Sequence, residues 1–266
     1  ITIHFGIPTM LRMMMEQDNF QDADFKSLRF AICGGESCPI PVIERFRAKG
    51  VPIRQGYGLT EAGPNCYSLP AEDAVRKQGS VGFPNFHIGV RLVDPEGRDV
   101  EPGGVGELLM KGPHVFAGYW RNDKATREVF HEGWMRTGDL FRMDEQGYAY
   151  VIGRSKEMFI SGGENVYPAQ VEKVLYTHPD VAQAAVVGVP DPDWGEVGCA
   201  FLVPHGGGAL DEAGLRAFCR NYLAGFQCPK HFVVLEALPL GHSNKIQKRE
   251  LKEMAVRRLG LDGEKP

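Results

Sequence analysis

The stretch RQGYGLTEAGPN, residues 54–65, combines three glycines with a tyrosine, a threonine and a glutamate. Glycines permit positive φ and let a ligand approach the backbone closely, and here they are Gly56, Gly58 and Gly63. Tyr57 offers an aromatic ring for stacking, and the hydroxyl of Thr60 suits a phosphoryl oxygen. The carboxylate of Glu61 is the hard oxygen ligand that Mg²⁺ takes in small number. The stretch fits a nucleotide phosphate with its metal, and the alternative is a glycine-rich turn with solvated polar residues.

Four further stretches carry side chains that could contact a nucleotide. In RTGDL, residues 136–140, Asp139 follows a glycine at the expected end of a strand, where its carboxylate can accept hydrogen bonds from two ribose hydroxyls. Arg154 of GRSKE is a rigid multi-donor group for ribose or phosphate oxygens. SGGEN at 161–165 is another glycine turn, and SNKIQKREL at 243–251 places Lys245 just before an expected helix. Taken singly, each stretch is more typical of a common turn or a solvated charge.

The composition excludes several classes of protein. The chain has 266 residues, enough for roughly two domains, and 43% of them are hydrophobic. A net charge of −4 gives no electrostatic reason to expect nucleic acid as a partner. No apolar run approaches the ~18 residues of a membrane span. Six cysteines without metal-ligand spacing favour reduced thiols and a cytoplasmic protein. Because the chain starts at Ile1 without a signal sequence, we expect a piece of a longer protein.

The hydrophobic pattern predicts a mixed fold, α/β plus α+β. Residues 1–78 alternate strand candidates with helical patterns, which is typical of part of a layered α/β domain. Residues 79–155 contain short strands separated by the turns PEG, PGG and EQG, so a small antiparallel sheet or β-barrel-like subdomain is expected. Residues 156–266 predict a compact α+β domain in the order helix, two strands, helix, strand, helix. The sequence therefore predicts a domain boundary after residue 155.

The order and spacing of these stretches resemble the acyl-adenylate-forming superfamily of AMP-binding enzymes. The motifs, in family order, are CGGES, QGYGLTEAGPN, GWMRTGDL, GRSKEMFISGGENVYPAQVE, DPDWGE and SNKIQKREL. YGLTEAGPN followed by MFISGGENVYPAQVE resembles the acyl-CoA synthetase or fatty-acid–CoA ligase branch more closely than the peptide-synthetase branch. The resemblance covers nearly the whole chain. It implies an acid–thiol ligase that uses ATP, Mg²⁺ and coenzyme A.

The resemblance also implies roles for the residues of the first part of the chain. Thr60 would bond the phosphate and Glu61 would hold Mg²⁺, so both would take part in catalysis. Asp139 would bind the ribose hydroxyls, with Arg154 assisting. The residues implied to lie around the nucleotide are Gly34, Gly35, Glu36, Gln55, Gly56, Tyr57 and Gly58.

For the C-terminal domain, the resemblance implies two successive orientations about a hinge at Lys156. In one, Lys245 would bridge the acid's carboxylate and the α-phosphate while the acyl-adenylate forms. In the other, Gly162 and Gly163 would leave room for the pantetheine arm of coenzyme A. Lys230 remains as a basic residue where the family meets the coenzyme A phosphates.

The substrate expected from the resemblance is a fatty or other apolar acid, with an aromatic acid as the alternative. The family's phosphate loop, which holds the pyrophosphate portion of ATP, normally lies upstream of QGYGLTE and does not occur here. A catalytically inert nucleotide-binding fragment is therefore the alternative from another functional class. A truncated domain also exposes apolar surface, and such a surface would favour association into a homo-oligomer.

Overall fold

The computed structural model describes residues 1–241 and 245–261. It separates into two compact units, Ile1–Ile152 and Gly153–Pro266. The predicted boundary after residue 155 lies close to this division, and as the position of a hinge it stays a prediction. Within the two described ranges, no helix has the length and apolar character needed to cross a bilayer.

The first unit begins with a five-stranded sheet, and its alternation of strands and helices confirms the predicted α/β class. The strands, in spatial order, are β1 (Ile3–Gly6), β2 (Phe30–Cys33), β3 (Ile53–Leu59), β4 (Gly63–Ser68) and β5 (Phe83–Pro84). β1, β2 and β3 run parallel, whereas β4 and β5 are antiparallel to their neighbours. Helices α1 (Pro8–Met15) and α2 (Ile40–Ala48) connect the parallel strands, and each has a proline in its first turn.

The helices of this unit bury large apolar side chains against the parallel strands. Leu11 of α1 and Phe46 of α2 are fully buried, and the ring of Phe20 packs edge-on against Phe46 with 5.4 Å between centroids. Edge-to-face rings contribute beyond their buried area. This core fixes the carboxyl ends of β2 and β3, which lie at one edge of the sheet. β2 leads into CGGES, whereas QGYGL lies within β3, which leads into Thr60 and Glu61.

A second sheet completes the first unit and confirms the predicted antiparallel subdomain. Its strands are β6 (Gly89–Val93), β7 (Val105–Lys111), β8 (Phe130–His131), β9 (Trp134–Met143) and β10 (Ala149–Arg154), in the order β10-β9-β7-β6 with β8 beside β9. Helix α3 (Asp123–Val129) precedes β8, and the side chain of Asn122 caps it by accepting from the backbone N–H of Ala125. Asp139 lies inside β9, so its expected position at a strand end was wrong.

The second unit is a compact α+β domain, as the sequence predicted. Its elements are β11 (Phe159–Ser161), β12 (Glu164–Val166), α4 (Pro168–Leu175), β13 (Val181–Asp191), β14 (Gly195–Pro204), α5 (Glu212–Tyr222), β15 (His231–Val234) and α6 (Lys248–Leu259). The sheet has the order β12-β11-β14-β13, with β15 parallel to β14. Short 3₁₀ turns of both units lie at Asp18–Phe20, Thr60–Ala62, Ala71–Asp73, His205–Gly207 and Gly225–Gln227.

The sheet of the second unit has helices on both faces. Leu175 of α4 and Leu215 of α5 are buried in one core, with Val186 and Leu202 from the sheet. Leu251 of α6 is buried in the other, with alternate residues of the same strands. This alternation follows the two-residue period of a strand. Helix α6 ends at Gly260, whose φ of 68° is the left-handed conformation favoured at a helix C-terminus.

One glycine of QGYGLTE has a structural role that the sequence did not predict. Gly58 does not have positive φ. A Cβ at this position would lie 2.4 Å from the carbonyl carbon of Pro64, because β3 and β4 approach each other closely here. The absence of a side chain at Gly58 therefore serves strand packing, and of the three glycines only Gly63 has positive φ, at 83°.

Gly58→Ala is therefore expected to lower the free energy of unfolding by about 1–3 kcal/mol, the usual cost of overpacking. Urea unfolding of the 266-residue chain, followed by circular dichroism, measures this. Gly225→Ala is the matched control, since a Cβ there meets no atom within 4 Å. Equal unfolding midpoints for the two variants would contradict the packing explanation.

Candidate functional site

Thr60 and Glu61 lie on the 3₁₀ turn that joins β3 to β4. Thr60 is exposed and Glu61 is half-buried, so both side chains can meet a ligand from solvent. The hydroxyl of Tyr119 donates a hydrogen bond of 2.8 Å to Oε1 of Glu61. The backbone N–H of Phe116 donates to the carbonyl oxygen of Glu61, also at 2.8 Å. The segment before α3 therefore orients the Glu61 carboxylate.

The donor set around Glu61 fits Mg²⁺ held mainly by a substrate. Among residues 1–241 and 245–261, no group of three or more His, Cys, Asp or Glu side chains is arranged to hold a metal ion. Mg²⁺ usually keeps several waters and binds through one or two carboxylates together with substrate phosphates. A single oriented carboxylate beside a threonine hydroxyl satisfies that requirement.

Asp139 and Tyr57, which we expected to make separate contacts, are hydrogen-bonded to each other. The Tyr57 hydroxyl donates to Oδ2 of Asp139 at 2.6 Å. Asp139 is only 5% exposed, and the Tyr57 ring packs edge-on against Phe141 at 4.8 Å. Burial, followed by the charge of Asp139 and the hydrogen bond to it, raises the pKa of Tyr57 well above its usual value. The phenol therefore stays protonated and acts as a donor that orients the carboxylate.

Glu107 fixes the backbone that carries Asp139. Its buried carboxylate forms an ion pair with the guanidinium of Arg136, and Oε1 accepts from the backbone N–H of Gly138 at 3.1 Å. Gly138 has a φ of 72° and interrupts the regular pairing of β7 with β9. Thr137 Oγ1 in turn accepts from the N–H of Asp139 at 3.1 Å. The RTGD segment is therefore held by β7 as well as by its own strand.

Gln55 orients the CGGES loop from inside the protein. Its carboxamide is 4% exposed. The oxygen accepts from the backbone N–H of Cys38 at 2.7 Å, and the nitrogen donates to the carbonyl of Ser80 at 3.5 Å. Because both polar groups bond to protein, this arrangement does not favour the expected contact between Gln55 and adenine, which stays a prediction.

The glycines around the expected adenine differ in their conformations. Gly35 has a φ of 85°, and together with Glu36 it is exposed, whereas Gly34 is buried. Gly56 lacks positive φ, and a Cβ there would lie 3.1 Å from Oδ1 of Asn65. The exposed end of this loop is therefore available to a ligand, while Gly34 and Gly56 are constrained by neighbouring protein.

In the second unit, the SGGEN stretch forms the tight turn between β11 and β12. A Cβ on Gly162 would lie 2.6 Å from the indole ring of Trp194, whose carbonyl accepts from the N–H of Gly162 at 2.9 Å. Gly163, with a φ of 87°, has no atom within 4 Å of such a Cβ. Trp194 therefore occupies the position that a side chain at Gly162 would take, and the room expected for pantetheine at both glycines stays a prediction.

Lys230 is paired with Asp191 beside this turn. Its ammonium lies 2.5 Å from Oδ2 of Asp191, and Oδ1 of the same carboxylate accepts from the N–H groups of Asp193 and Trp194. The hydrogen bond from Lys230 lowers the pKa of Asp191 below its usual value. Lys230 remains 46% exposed, so an additional contact with an anionic ligand stays a prediction.

Lys245 is exposed, and the segment of residues 245–247 pairs with the backbone of residues 239–241. Its carbonyl oxygen accepts from the N–H of Gly241 at 2.8 Å, and Ile246 pairs with Leu240 in an isolated antiparallel bridge. Ser243 and Asn244 of the SNKIQKREL motif lie outside the described residues. Arg154 and Lys156 are exposed at and just after the end of β10.

The sequence analysis missed three residues that orient or cover the candidate site residues: Tyr119, Glu107 and Trp194. Each is far along the chain from the residue it orients or covers, and none stands in a glycine-rich turn. The aromatic run FAGYW around Tyr119 was the one sequence signal available for it.

Comparison with protein-family models gives two matches along the chain. Residues 1–120 match the model of the AMP-binding enzyme, and residues 170–245 match the model of the AMP-binding enzyme C-terminal domain. The two matches fall in the first and second units, respectively.

Comparison with characterised proteins finds relatives that are 40% to 44% identical to this chain. A feruloyl-CoA synthase from an Amycolatopsis species is 44% identical over 252 residues, which is 95% of this chain and 51% of the relative. An indoleacetate–CoA ligase from Aromatoleum aromaticum is 40% identical over 262 residues, which is 98% of this chain and 51% of the relative. The chain thus spans about half the length of these relatives.

A solved relative has the same fold. The o-succinylbenzoate CoA synthetase from Bacillus subtilis, in complex with its acyl-adenylate intermediate, is 37% identical with a TM-score of 0.85, covering 95% of this chain and 51% of that one. The same enzyme has also been solved with ATP and a magnesium ion. The acids in these three names all carry an aromatic ring. The comparisons therefore favour the aromatic-acid alternative over the fatty-acid expectation.

Proposed function

Because the chain belongs to the AMP-binding enzyme family, we propose that the full-length protein is an AMP-forming acid–CoA ligase acting on an aromatic carboxylic acid. The substrate class rests on the relatives, which act on feruloyl, indoleacetate and o-succinylbenzoate groups. The observation that carries the proposal is the buried Asp139 carboxylate, which the Tyr57 hydroxyl orients. Tyr57 lies on β3, and β3 ends at the turn that holds Thr60 and Glu61. The first unit thereby contains an acceptor that would bind the ribose hydroxyls, a hydroxyl that would donate to a phosphate oxygen and a carboxylate that would bind the metal.

In the proposed first step, the acid's carboxylate attacks the α-phosphorus of ATP, and pyrophosphate leaves. A free carboxylate is a poor acyl donor because its leaving group would be oxide, and AMP provides a better one. Thr60 would donate to a phosphate oxygen, Asp139 would bind the ribose hydroxyls, and Arg154 would assist. Mg²⁺ held by Glu61 would neutralise phosphate charge. Lys245 would stabilise the charge that accumulates during attack, so it acts more strongly on the transition state than on the ground state.

In the proposed second step, the thiol of coenzyme A attacks the acyl carbonyl and AMP leaves. The open backbone at Gly163 would admit the pantetheine arm, and the indole of Trp194 would form a wall of its path. Lys230 is exposed enough to meet a phosphate of coenzyme A. The change between steps would occur by rotation about a hinge at Lys156, which is exposed after β10.

Product analysis by mass spectrometry tests the proposed reaction. The full-length protein would be incubated with ATP, Mg²⁺, coenzyme A and a panel of aromatic and fatty acids matched in solubility. We expect an aryl-CoA thioester with one equivalent of AMP, and lower kcat/KM for fatty acids. Fatty acyl-CoA as the preferred product would overturn the substrate class, and acyl-adenylate without thioester would overturn the role of coenzyme A.

Tyr119→Phe is expected to raise the Mg²⁺ concentration needed for half-maximal adenylation by about 3- to 10-fold. The substitution removes the hydroxyl that orients Glu61, and a partly exposed hydrogen bond of this kind contributes on the order of 1 kcal/mol. A Mg²⁺ titration at fixed ATP concentration measures the effect. Tyr222→Phe is the control, because Tyr222 is an exposed tyrosine of α5. An unchanged Mg²⁺ requirement in the Tyr119 variant would show that this hydrogen bond does not orient Glu61 for binding Mg²⁺.

A further inference from the structure

Lys248 lies at the centre of an ion-pair cluster in the second unit. Its ammonium nitrogen is 2.7 Å from Oε2 of Glu157 and 2.9 Å from Oε1 of Glu172. All three side chains are largely shielded, with exposed fractions of 20%, 32% and 15%. Burial alone would lower the pKa of Lys248, but the two carboxylates outweigh it and raise the pKa. Lys248 is therefore a permanent cation held between two carboxylates.

The cluster joins three separate elements. Lys248 is the first residue of α6, and Glu172 lies within α4. Oε1 of Glu172 also accepts from the backbone N–H of Val186 in β13, at 2.8 Å. Glu157 follows Lys156 directly, and its own N–H bonds to the carbonyl of Arg154 at 3.0 Å. The start of α6 is thus tied to the sheet and to the chain segment that follows β10.

The same cluster fixes the segment that carries Lys245. Only Ile246 and Gln247 separate Lys245 from Lys248. The N–H of Gln247 donates to the carbonyl of Pro239 at 2.9 Å, and Ile246 pairs with Leu240. Lys248 therefore anchors the C-terminal end of a segment that also pairs with residues 239–241 through backbone hydrogen bonds.

We propose that Lys248 is a positioning residue for Lys245, and that its bonds to Glu157 and Glu172 set where the Lys245 ammonium stands relative to the Lys156 segment. The inference rests on the proposed function of Lys245 in adenylation. A buried ion pair often contributes little net stability, because desolvation offsets the attraction, while breaking one partner leaves an uncompensated charge. The more informative consequence of this cluster is therefore geometric: a displacement of about 1 Å can cost on the order of 100-fold in rate.

The test uses the full-length protein and measures its two half-reactions separately. Adenylation is followed as acid-dependent exchange of labelled pyrophosphate into ATP, and thioester formation is followed from supplied aryl-adenylate and coenzyme A. We expect Lys248→Met to lower the kcat of adenylation by about 10- to 100-fold, with the KM for ATP and the thioester step changed by less than about 3-fold. Lys248→Arg should restore most of the rate. Lys252→Met is the matched control, since Lys252 lies on the same helix and pairs with Glu196 of β14.

A second pair of variants separates positioning from folding. In a Lys245→Ala background, Lys248→Met should cause no further loss of adenylation, because the group it positions is already absent. If Lys248→Met does not fold, Glu157→Gln tests the positioning role instead. It removes one of the two carboxylate charges that face Lys248 and keeps a hydrogen-bond acceptor. Equal losses in both half-reactions, or additive losses in the double variant, would overturn the positioning role. Unchanged adenylation in Lys245→Ala alone would instead overturn the proposed function.

Discussion

Lys245→Ala is expected to lower the rate of adenylation by about 10²- to 10³-fold, the range found when one preorganised donor to a developing charge is removed. Negative charge accumulates around the α-phosphorus as the acid's carboxylate attacks, and a positioned ammonium stabilises that arrangement more than separate reactants. In the structure Lys245 is exposed on an anchored segment. Alanine would remove the charge without disturbing a packed core.

The same variant should make thioester from supplied aryl-adenylate at close to the wild-type rate. In the proposed mechanism, the second step uses the turn at Gly163 and does not use the lysine that assists adenylate formation. Both half-reactions are measured in the full-length protein by pyrophosphate exchange and by thioester release. Lys252→Ala, on the exposed part of α6, controls for loss of a positive charge. Equal losses in both half-reactions would contradict a role confined to adenylation.

Asp139→Asn is expected to weaken binding of a non-hydrolysable aryl-adenylate analogue by about 10- to 100-fold. Hydrogen bonds to a charged group contribute about 1.5–3 kcal/mol each, and about 1.4 kcal/mol corresponds to a factor of ten in affinity. Asparagine keeps the shape of the side chain, and its amide oxygen can still accept from the Tyr57 hydroxyl. The substitution therefore removes the charge that would receive the ribose hydroxyls while leaving the packing around β9 in place.

Isothermal titration calorimetry of the full-length protein measures this loss directly. Asp99→Asn is the control, because Asp99 is an exposed carboxylate whose partner is Arg91. Tyr57→Phe provides a graded comparison, since it removes only the donor that orients Asp139, and it should weaken binding less than Asp139→Asn. An affinity for the analogue that is unchanged in Asp139→Asn would rule out the ribose contact.

The sequence predicted the elements well because the hydrophobic periods are clear. The alternation around α1 and α2 and the order of the later helices and strands in the C-terminal domain follow from apolar periodicity. Thr60 and Glu61 could be placed on a turn because glycines surround them. Asp139 was expected at a strand end, but β9 continues past this residue. The left-handed conformation of Gly138 accompanies an irregular register between β7 and β9.

The partners that orient the site could not be predicted from local pattern. Tyr119 reaches Glu61, and Glu107 reaches Gly138, only because the sheet folds these distant segments together. Glycines were equally ambiguous, since a position without a side chain can admit either a ligand or a neighbouring part of the protein. Gly58 is packed against β4 and Gly162 against Trp194, whereas Gly163 is open.

The acid was the least predictable feature. The motifs that carry the resemblance to acyl-adenylate-forming enzymes concern the nucleotide and the thiol, and these are shared across acids. The choice of acid depends on side chains that line its own pocket, for which no general motif exists. The proposed aromatic class rests on comparison with relatives, each about twice as long as the matched region.

The central claim is that this chain supplies the adenylation site of an acid–CoA ligase, and acid-dependent exchange of labelled pyrophosphate into ATP tests it most directly. The full-length protein would be assayed without coenzyme A, with an aromatic acid and with no acid, beside the Lys245→Ala and Asp139→Asn variants. We expect exchange that requires the aromatic acid and Mg²⁺ and that falls in both variants. Absence of exchange with any acid, or exchange that is independent of acid, would contradict the account.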